Sequence, residues 1–170
     1  MANRRHEMLR RIYRMFEGIT PLSGDCGSLC GARCCQGGDR DGMWLLPGEE
    51  EILKNAGFLE LHRTEDHTYV VCAGRCDREL RPIACRIFPY FPVPYRTRTG
   101  RFGVRAMPDV RALSTCALFE KGAPSVSPAF RRAVRRAGIV MLRDRRLRRW
   151  LRESGDFLQE IARVRALLDR

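Results

Sequence analysis

Four of the chain's eight cysteines lie within ten residues, Cys26, Cys30, Cys34 and Cys35 in CGSLCGARCC, and three more follow at Cys72, Cys76 and Cys85, with Cys116 standing apart. Thiols this crowded are rarely there for packing. Either disulfides bridge them, or the chain folds so that several sulfurs turn inward together. With 170 residues, 44% of them hydrophobic, the chain has enough apolar surface for a compact domain without cross-links, which argues against the disulfide frameworks of small secreted domains. Arg10, Arg11 and Arg14 interrupt the start where a signal peptide needs an unbroken apolar stretch, and no later run approaches membrane-spanning length. The expectation is a cytoplasmic protein with no membrane partner, whose thiols stay reduced.

The apolar pattern outlines the frame. Leu9, Ile12, Tyr13 and Phe16 recur at helical spacing, predicting an amphipathic helix from about Asn3 to Glu17 that ends at Gly18. Residues 18–43 hold Pro21 and seven glycines, so the first cysteine group sits mainly in irregular chain. Glu49, Glu50 and Glu51 after Pro47-Gly48 mark the start of a helix running to Ala56, because negative charge favours a helix N-terminus; this explains the run better than a hard-cation site. Phe58 to His62 and Thr68 to Cys72 read as strands around a turn at Thr64 to His67, and Tyr95 to Met107 as a hairpin turning at Thr99-Gly100. Between the hairpins, Pro82, Pro89, Pro92 and Pro94 are expected to leave only short extended pieces. Ser127 and Pro128 open a helix with a stripe of Phe130, Val134, Ala137 and Met141. A last helix is expected after Ser154 or Gly155, with Phe157, Ile161, Val164 and Leu168 on one face.

The net charge of +12 invites a nucleic-acid reading, but weakly. All but Lys54 and Lys121 of the 32 basic residues are arginine, and aromatic residues do not interleave with them as a stacking platform requires. The segment 125–170 holds 13 Arg against 5 acids. It reads as a solvated basic face or a docking face for a partner protein rather than a nucleic-acid surface.

Thiolates are soft ligands that select zinc, iron-sulfur clusters or cuprous copper. Four of them around one zinc carry an excess negative charge that neighbours must offset. Arg33, Arg75, Arg78, Arg81 and Arg86 lie beside the cysteines and are placed for that role, as donors to sulfur or to a bound cofactor. The spacings are C-x3-C, C-x3-CC and C-x3-C with a later lone Cys85, which is not a zinc-ribbon knuckle. Adjacent Cys34 and Cys35 point their side chains apart, so either one faces the core or they serve two metals. The C-x3-C-x2-C pattern of radical enzymes that cleave S-adenosylmethionine fails at Arg33. Isolated His6, His62 and His67 are not expected to be ligands. Asp25, Asp39, Asp41 and Asp77 are more simply turn formers.

Two stretches resemble a known family. The cysteine group, then the acidic helix start at Glu49 to Glu51, and above all Arg81-Pro82-Ile83-Ala84-Cys85-Arg86-Ile87-Phe88-Pro89-Tyr90 preceded by Cys76, look like the elements of the YkgJ-type CxxCxxCC cysteine-cluster family, small proteins described as zinc- or iron-chelating. The last stretch is similar to that family's RPxxCRxFPF element, and the match covers about residues 20–120. Two departures stand out: both gaps in the first cluster are three residues long, and Cys72 closely precedes Cys76. The resemblance implies metal or iron-sulfur binding by the cluster and Cys85. Some longer proteins with a similar cluster are lysine methylases of flagellin, but this chain lacks their length and any Gly-rich turn for S-adenosylmethionine.

The resulting expectation is an α+β protein, a small cysteine-rich metal-binding domain over residues 1–124 with short β-hairpins and an N-terminal helix, and a basic helical pair over 125–170 packed on it. Cys26, Cys30, Cys34 and Cys85 are the first-choice ligands for zinc or iron, the latter as an ion or a [4Fe-4S] cluster. Cys35, Cys72, Cys76 and Cys116 come second, and Arg33 and Arg86 support the bound cofactor. The alternatives are an iron-sulfur redox or protein-modifying enzyme, and a basic nucleic-acid or protein adaptor with structural zinc.

Overall fold

The computed structural model describes residues 2–36, 42–65, 67–72, 77–122 and 124–168. Asp39, Asp41, Arg75 and Cys76 lie outside them. Helix α1 spans Ala2–Met15. Its stripe is the expected one, since Leu9, Ile12, Tyr13 and Phe16 are all buried, and Gly18 ends the segment in the left-handed region at φ 68°. The irregular stretch that follows contains one short helix, α2 (Gly27–Cys30), and a 3-10 turn at Arg33–Cys35.

Strands β1 (Gly42–Trp44), β2 (Leu59–Arg63) and β3 (Thr68–Cys72) form an antiparallel sheet in the order β1-β3-β2. The expected β2–β3 hairpin closes where Thr64 and His67 bond across the turn. Helix α3 covers only Glu50–Leu53, a single turn rather than a helix to Ala56.

The proline-rich stretch departs from expectation in an instructive way. Instead of short extended pieces it forms helix α4 (Ile83–Ile87) and then strand β4 (Tyr90–Arg96), which pairs antiparallel with β5 (Phe102–Pro108) around Gly100. Among the described residues this sheet has two strands, and Pro92 and Pro94 occupy alternate positions opposite Ala106 and Val104. Both missing N–H groups therefore belong to the side of β4 that faces away from β5, where no ladder bond is lost.

Helix α5 (Ala112–Thr115) leads to the C-terminal pair. Helix α6 (Pro128–Met141) starts as anticipated, its Ser127 hydroxyl accepting the Ala129 N–H at 3.2 Å. Its Gly138 is where the β4–β5 ribbon comes closest, since a Cβ there would lie 2.6 Å from Pro92 Cβ and 2.7 Å from Val104 Cγ1. Helix α7 runs from Arg145 to Leu168, so it begins well before Ser154. Asp144 supplies the start, its Oδ1 accepting the N–H groups of Arg146 at 2.9 Å and Leu147 at 3.0 Å. Ser154 and Gly155 are buried inside the helix, Gly155 beside the Phe91 ring.

One apolar cluster unites α1, α4, β4, α6 and α7, with Phe130, Leu9, Ile83, Ile87 and Leu151 among its fully buried members. Residues on both sides of position 125 thus share a single core. A smaller cluster of Leu45, Leu53 and Val70 underlies the three-stranded sheet. Among the described residues, no helix is long and apolar enough to cross a membrane.

Asp144 also pairs with Arg5 at 3.1 Å, tying α1 to the start of α7. Burial alone would raise its carboxyl, but the Leu147 N–H, the Arg5 guanidinium and the Arg146 N–H outweigh this and hold it below the usual value. A carboxyl lowered in the folded state contributes its stability in full above the ordinary aspartate value, and loses it as pH falls through the folded value. Asp144→Ala is expected to cost about 1–2 kcal/mol near neutral pH. In urea denaturation this difference from the unsubstituted chain should shrink as the pH is brought into the acid range.

Candidate functional site

Loop 18–36 is pinned at its entry by tertiary bonds and shaped by its own backbone. The Pro21 carbonyl accepts the Ser127 N–H at 2.8 Å, fixing the loop to the start of α6. The Thr20 hydroxyl lies against the carbonyls of Leu22 and Gly24. Asp25 makes a turn, its carbonyl accepting from the Ser28 hydroxyl at 2.7 Å and its carboxylate facing Arg78 at 3.6 Å. Gly31 and Ala32 then adopt consecutive left-handed conformations, at φ 61° and 56°. For alanine this costs of order 1 kcal/mol or more, and such positions concentrate at functional sites. The reversal separates Cys30, at the end of α2, from Cys34 and Cys35 in the following turn.

Cys85 approaches from α4. Ile83, Ala84 and Ile87 turn into the core, leaving Cys85 half-buried at the edge. The N-terminus of α4 is held by Glu49, which is 0% exposed. Its carboxylate accepts the Ile83 N–H at 2.6 Å, the Tyr13 hydroxyl at 2.8 Å and the Leu46 N–H at 2.9 Å. Glu49 is therefore not a solvated helix-start charge, as the acidic run suggested, but a buried junction between α1, the residues before α3, and α4. Burial pushes its carboxyl up despite those three donors and the nearby Arg86.

Cys26, Cys30, Cys34, Cys85 and Cys116 line one cavity of about 60 Å³, walled also by Phe16, Ile19, Leu29, Phe88 and Leu118. Three separate segments deliver these sulfurs: the 26–34 loop, α4 and the residue after α5. None of the seven described cysteines is in a disulfide. Burial raises the thiols of Cys26 and Cys116, and neighbouring Asp25, Cys116 and Cys30 raise Cys26 further. Cys34 is lowered by a hydrogen bond from Cys35, against burial and the nearby Cys26, Cys85 and Cys30. Cys30 itself donates weakly to the Cys26 carbonyl at 3.9 Å. Among the described residues, no group of three or more His, Cys, Asp or Glu side chains is set, as it stands, to hold a metal ion. The sulfurs share a cavity without being drawn into a ligand cage.

The other candidates fall elsewhere. Cys35 lines the outer side of the same wall, beside Cys34 and Cys85. Cys72 ends β3 opposite Leu59 and does not line the cavity. Arg86 borders the cavity, but its guanidinium donates to the carbonyls of Arg81, Arg78 and Glu79 and lies over the Tyr13 ring at 4.5 Å. Its contacts brace the 78–82 turn. Arg33 is exposed and paired with Glu120. His67 stacks on Trp44, and His62 stacks on Tyr69 and pairs with Glu60. Two participants escaped the sequence reading: Glu49, hidden in a run of three acids, and the outer turn of α7, whose Ile161 and Arg165 reach the neighbouring groove. Only the apolar residue positions before Glu49 hinted at the first, and no local signal marked the second.

No family model, no curated protein and no solved structure matches the chain.

Proposed function

We propose that the chain is a cysteine-cluster metal-binding protein that takes zinc or iron through thiolates of Cys26, Cys30, Cys34, Cys85 and Cys116, as the resemblance to the YkgJ-type family suggests. One observation carries this reading: five cysteines from three distant segments line a single small cavity. An all-sulfur donor set suits zinc, or iron as an ion or a [4Fe-4S] cluster, and is a poor match for magnesium or calcium. Five thiols exceed the four a tetrahedral site needs, so one is a supporting neighbour. A cage need not be formed before the ion arrives, because metal binding and local folding are commonly one event. The loop's glycines and its left-handed turn leave it able to close on an ion. Reduced thiols of this kind suit a reducing compartment such as the cytoplasm.

The raised thiols of half-buried Cys26 and Cys116 hold their protons at neutral pH until a cation lowers their pKa, so binding must release protons and strengthen with rising pH. Titration of the reduced chain with cobalt(II) is expected to give thiolate-to-metal absorption that saturates near one equivalent, is abolished by zinc, and is accompanied by proton release. Absence of that absorption with fully reduced thiols would remove the proposal.

A further inference from the structure

The outer side of the C-terminal helix pair carries charge of one sign. Residues 128–149 hold nine arginines and a single acid, Asp144, and that acid is already engaged by Arg5 at 3.1 Å and by the N–H groups of Arg146 and Leu147. On α6, Phe130, Ala133, Val134 and Ala137 fill the buried side, while Arg131, Arg132, Arg135 and Arg136 recur at i, i+1, i+4 and i+5 on the other and are all exposed. Arg143 in the link between the helices is exposed too, as are Arg145, Arg146 and Arg149 in the first turns of α7. Arg135 donates to the Val104 carbonyl at 3.3 Å. Among the described residues, the others have neither an ion pair nor a side-chain hydrogen bond. Protein surfaces ordinarily intersperse the two signs, since like charges held together repel. A run of unpaired guanidinium groups is relieved by a polyanion, and phosphate is the anion whose geometry the guanidinium fork matches well.

We propose that this face binds the phosphate backbone of double-stranded nucleic acid, without reading its sequence. The scarcity of aromatic residues that weighs against nucleic acid in the sequence bears on single strands, whose bases stack on rings. Residues 131–149 contain no Phe, Trp or Tyr, and a duplex backbone asks for none, because cations alone position it. A bilayer would need an apolar face beside the charge, and that of α6 is spent in the core. An acidic protein surface offers a sparser charge than a duplex, which carries one negative charge per about 1.7 Å of axis. The inference goes beyond metal binding, because the arginines carry it and no sulfur takes part.

Fluorescence anisotropy of a labelled DNA duplex of about 24 base pairs, titrated with the reduced full chain, tests it. Binding is expected to saturate and to be indifferent to base sequence. With about five phosphates neutralised, raising salt from about 50 to about 200 mM should lower affinity several-hundredfold. The variant Arg131→Gln, Arg132→Gln, Arg136→Gln, Arg149→Gln, all exposed positions, should weaken binding by at least about tenfold and reduce the salt slope by about three. A control removes the same number of charges elsewhere: Arg98→Gln and Arg101→Gln in the β4–β5 turn, with Lys54→Gln and Arg163→Gln, whose side chains pair with Glu51 and Glu160. It should stay within about threefold of the unsubstituted chain. If the first variant fails to fold, its two halves, Arg131→Gln with Arg132→Gln and Arg136→Gln with Arg149→Gln, should each give part of the same loss. No saturable binding, a salt slope below about two, or equal loss in the control would overturn the proposal. So would poly-glutamate, phosphatidylglycerol vesicles or the single strand of the same sequence binding as tightly as the duplex.

Discussion

Replacing Glu49 with alanine is expected to remove about 3–5 kcal/mol of folding stability, a large part of what a domain of this size possesses. The carboxylate is fully buried and accepts from the Tyr13 hydroxyl and from the N–H groups of Leu46 and Ile83. Truncation leaves three buried donors without an acceptor, each costing about 1–3 kcal/mol, while relief of the buried carboxyl returns part of that. Glu49→Gln keeps the shape but turns an amide NH₂ toward a donor, so its loss should be smaller. The pH dependence separates the two chemistries. Burial raises the Glu49 carboxyl above its ordinary value, so the folded protein keeps this proton to higher pH than the unfolded chain does. The associated stability is complete below the unfolded pKa and declines as pH rises through the folded one. That decline should be absent in Glu49→Gln. Urea denaturation at a series of pH values reads both effects, and a loss under about 1 kcal/mol for Glu49→Ala would mean that the junction is not formed. The consequence reaches the candidate site, because the Ile83 N–H begins the helix that carries Cys85.

The double variant Cys34→Ser, Cys85→Ser is expected to lose nearly all bound metal, to below about a tenth of the unsubstituted chain, while Cys72→Ser retains it. Five cysteines line the cavity and a tetrahedral site needs four, so a single substitution leaves a possible replacement whereas a double one leaves three. Serine does not substitute, since its hydroxyl is a hard donor that stays protonated where a thiol ionises. Cys72 sits in β3 and lines no part of the cavity. Metal content after gel filtration of the reduced proteins checks this, and equal loss from Cys72→Ser would show that the ligand set is wrong.

What could be read from the chain alone was whatever local physics determines. The stripes of α1 and α6 follow from helical spacing, and the Ser127 cap and Gly100 turn from the conformations those residues favour. The grouping of Cys26, Cys30 and Cys34 with Cys85 was also legible. The misses all depend on tertiary packing. Ser154 and Gly155 looked like a helix start, yet both lie buried inside a helix that Asp144 begins. Pro92 and Pro94 looked like strand breakers, yet both fall on the unpaired side of a two-stranded ribbon. Glu49 looked like its two neighbours, but it alone of the three is buried. Cys116, with no neighbouring thiol to mark it, stood only among the second-choice ligands, and the turn after α5 carries it to the others.

The central claim, that sulfurs from distant segments jointly hold an ion, is tested most directly by purifying the chain anaerobically and combining elemental analysis with an absorption spectrum. The account predicts about one zinc per chain in a colourless protein, or iron with sulfide-to-iron absorption in a brown one. A protein with all eight thiols titratable and neither metal present, before or after reconstitution, would contradict it.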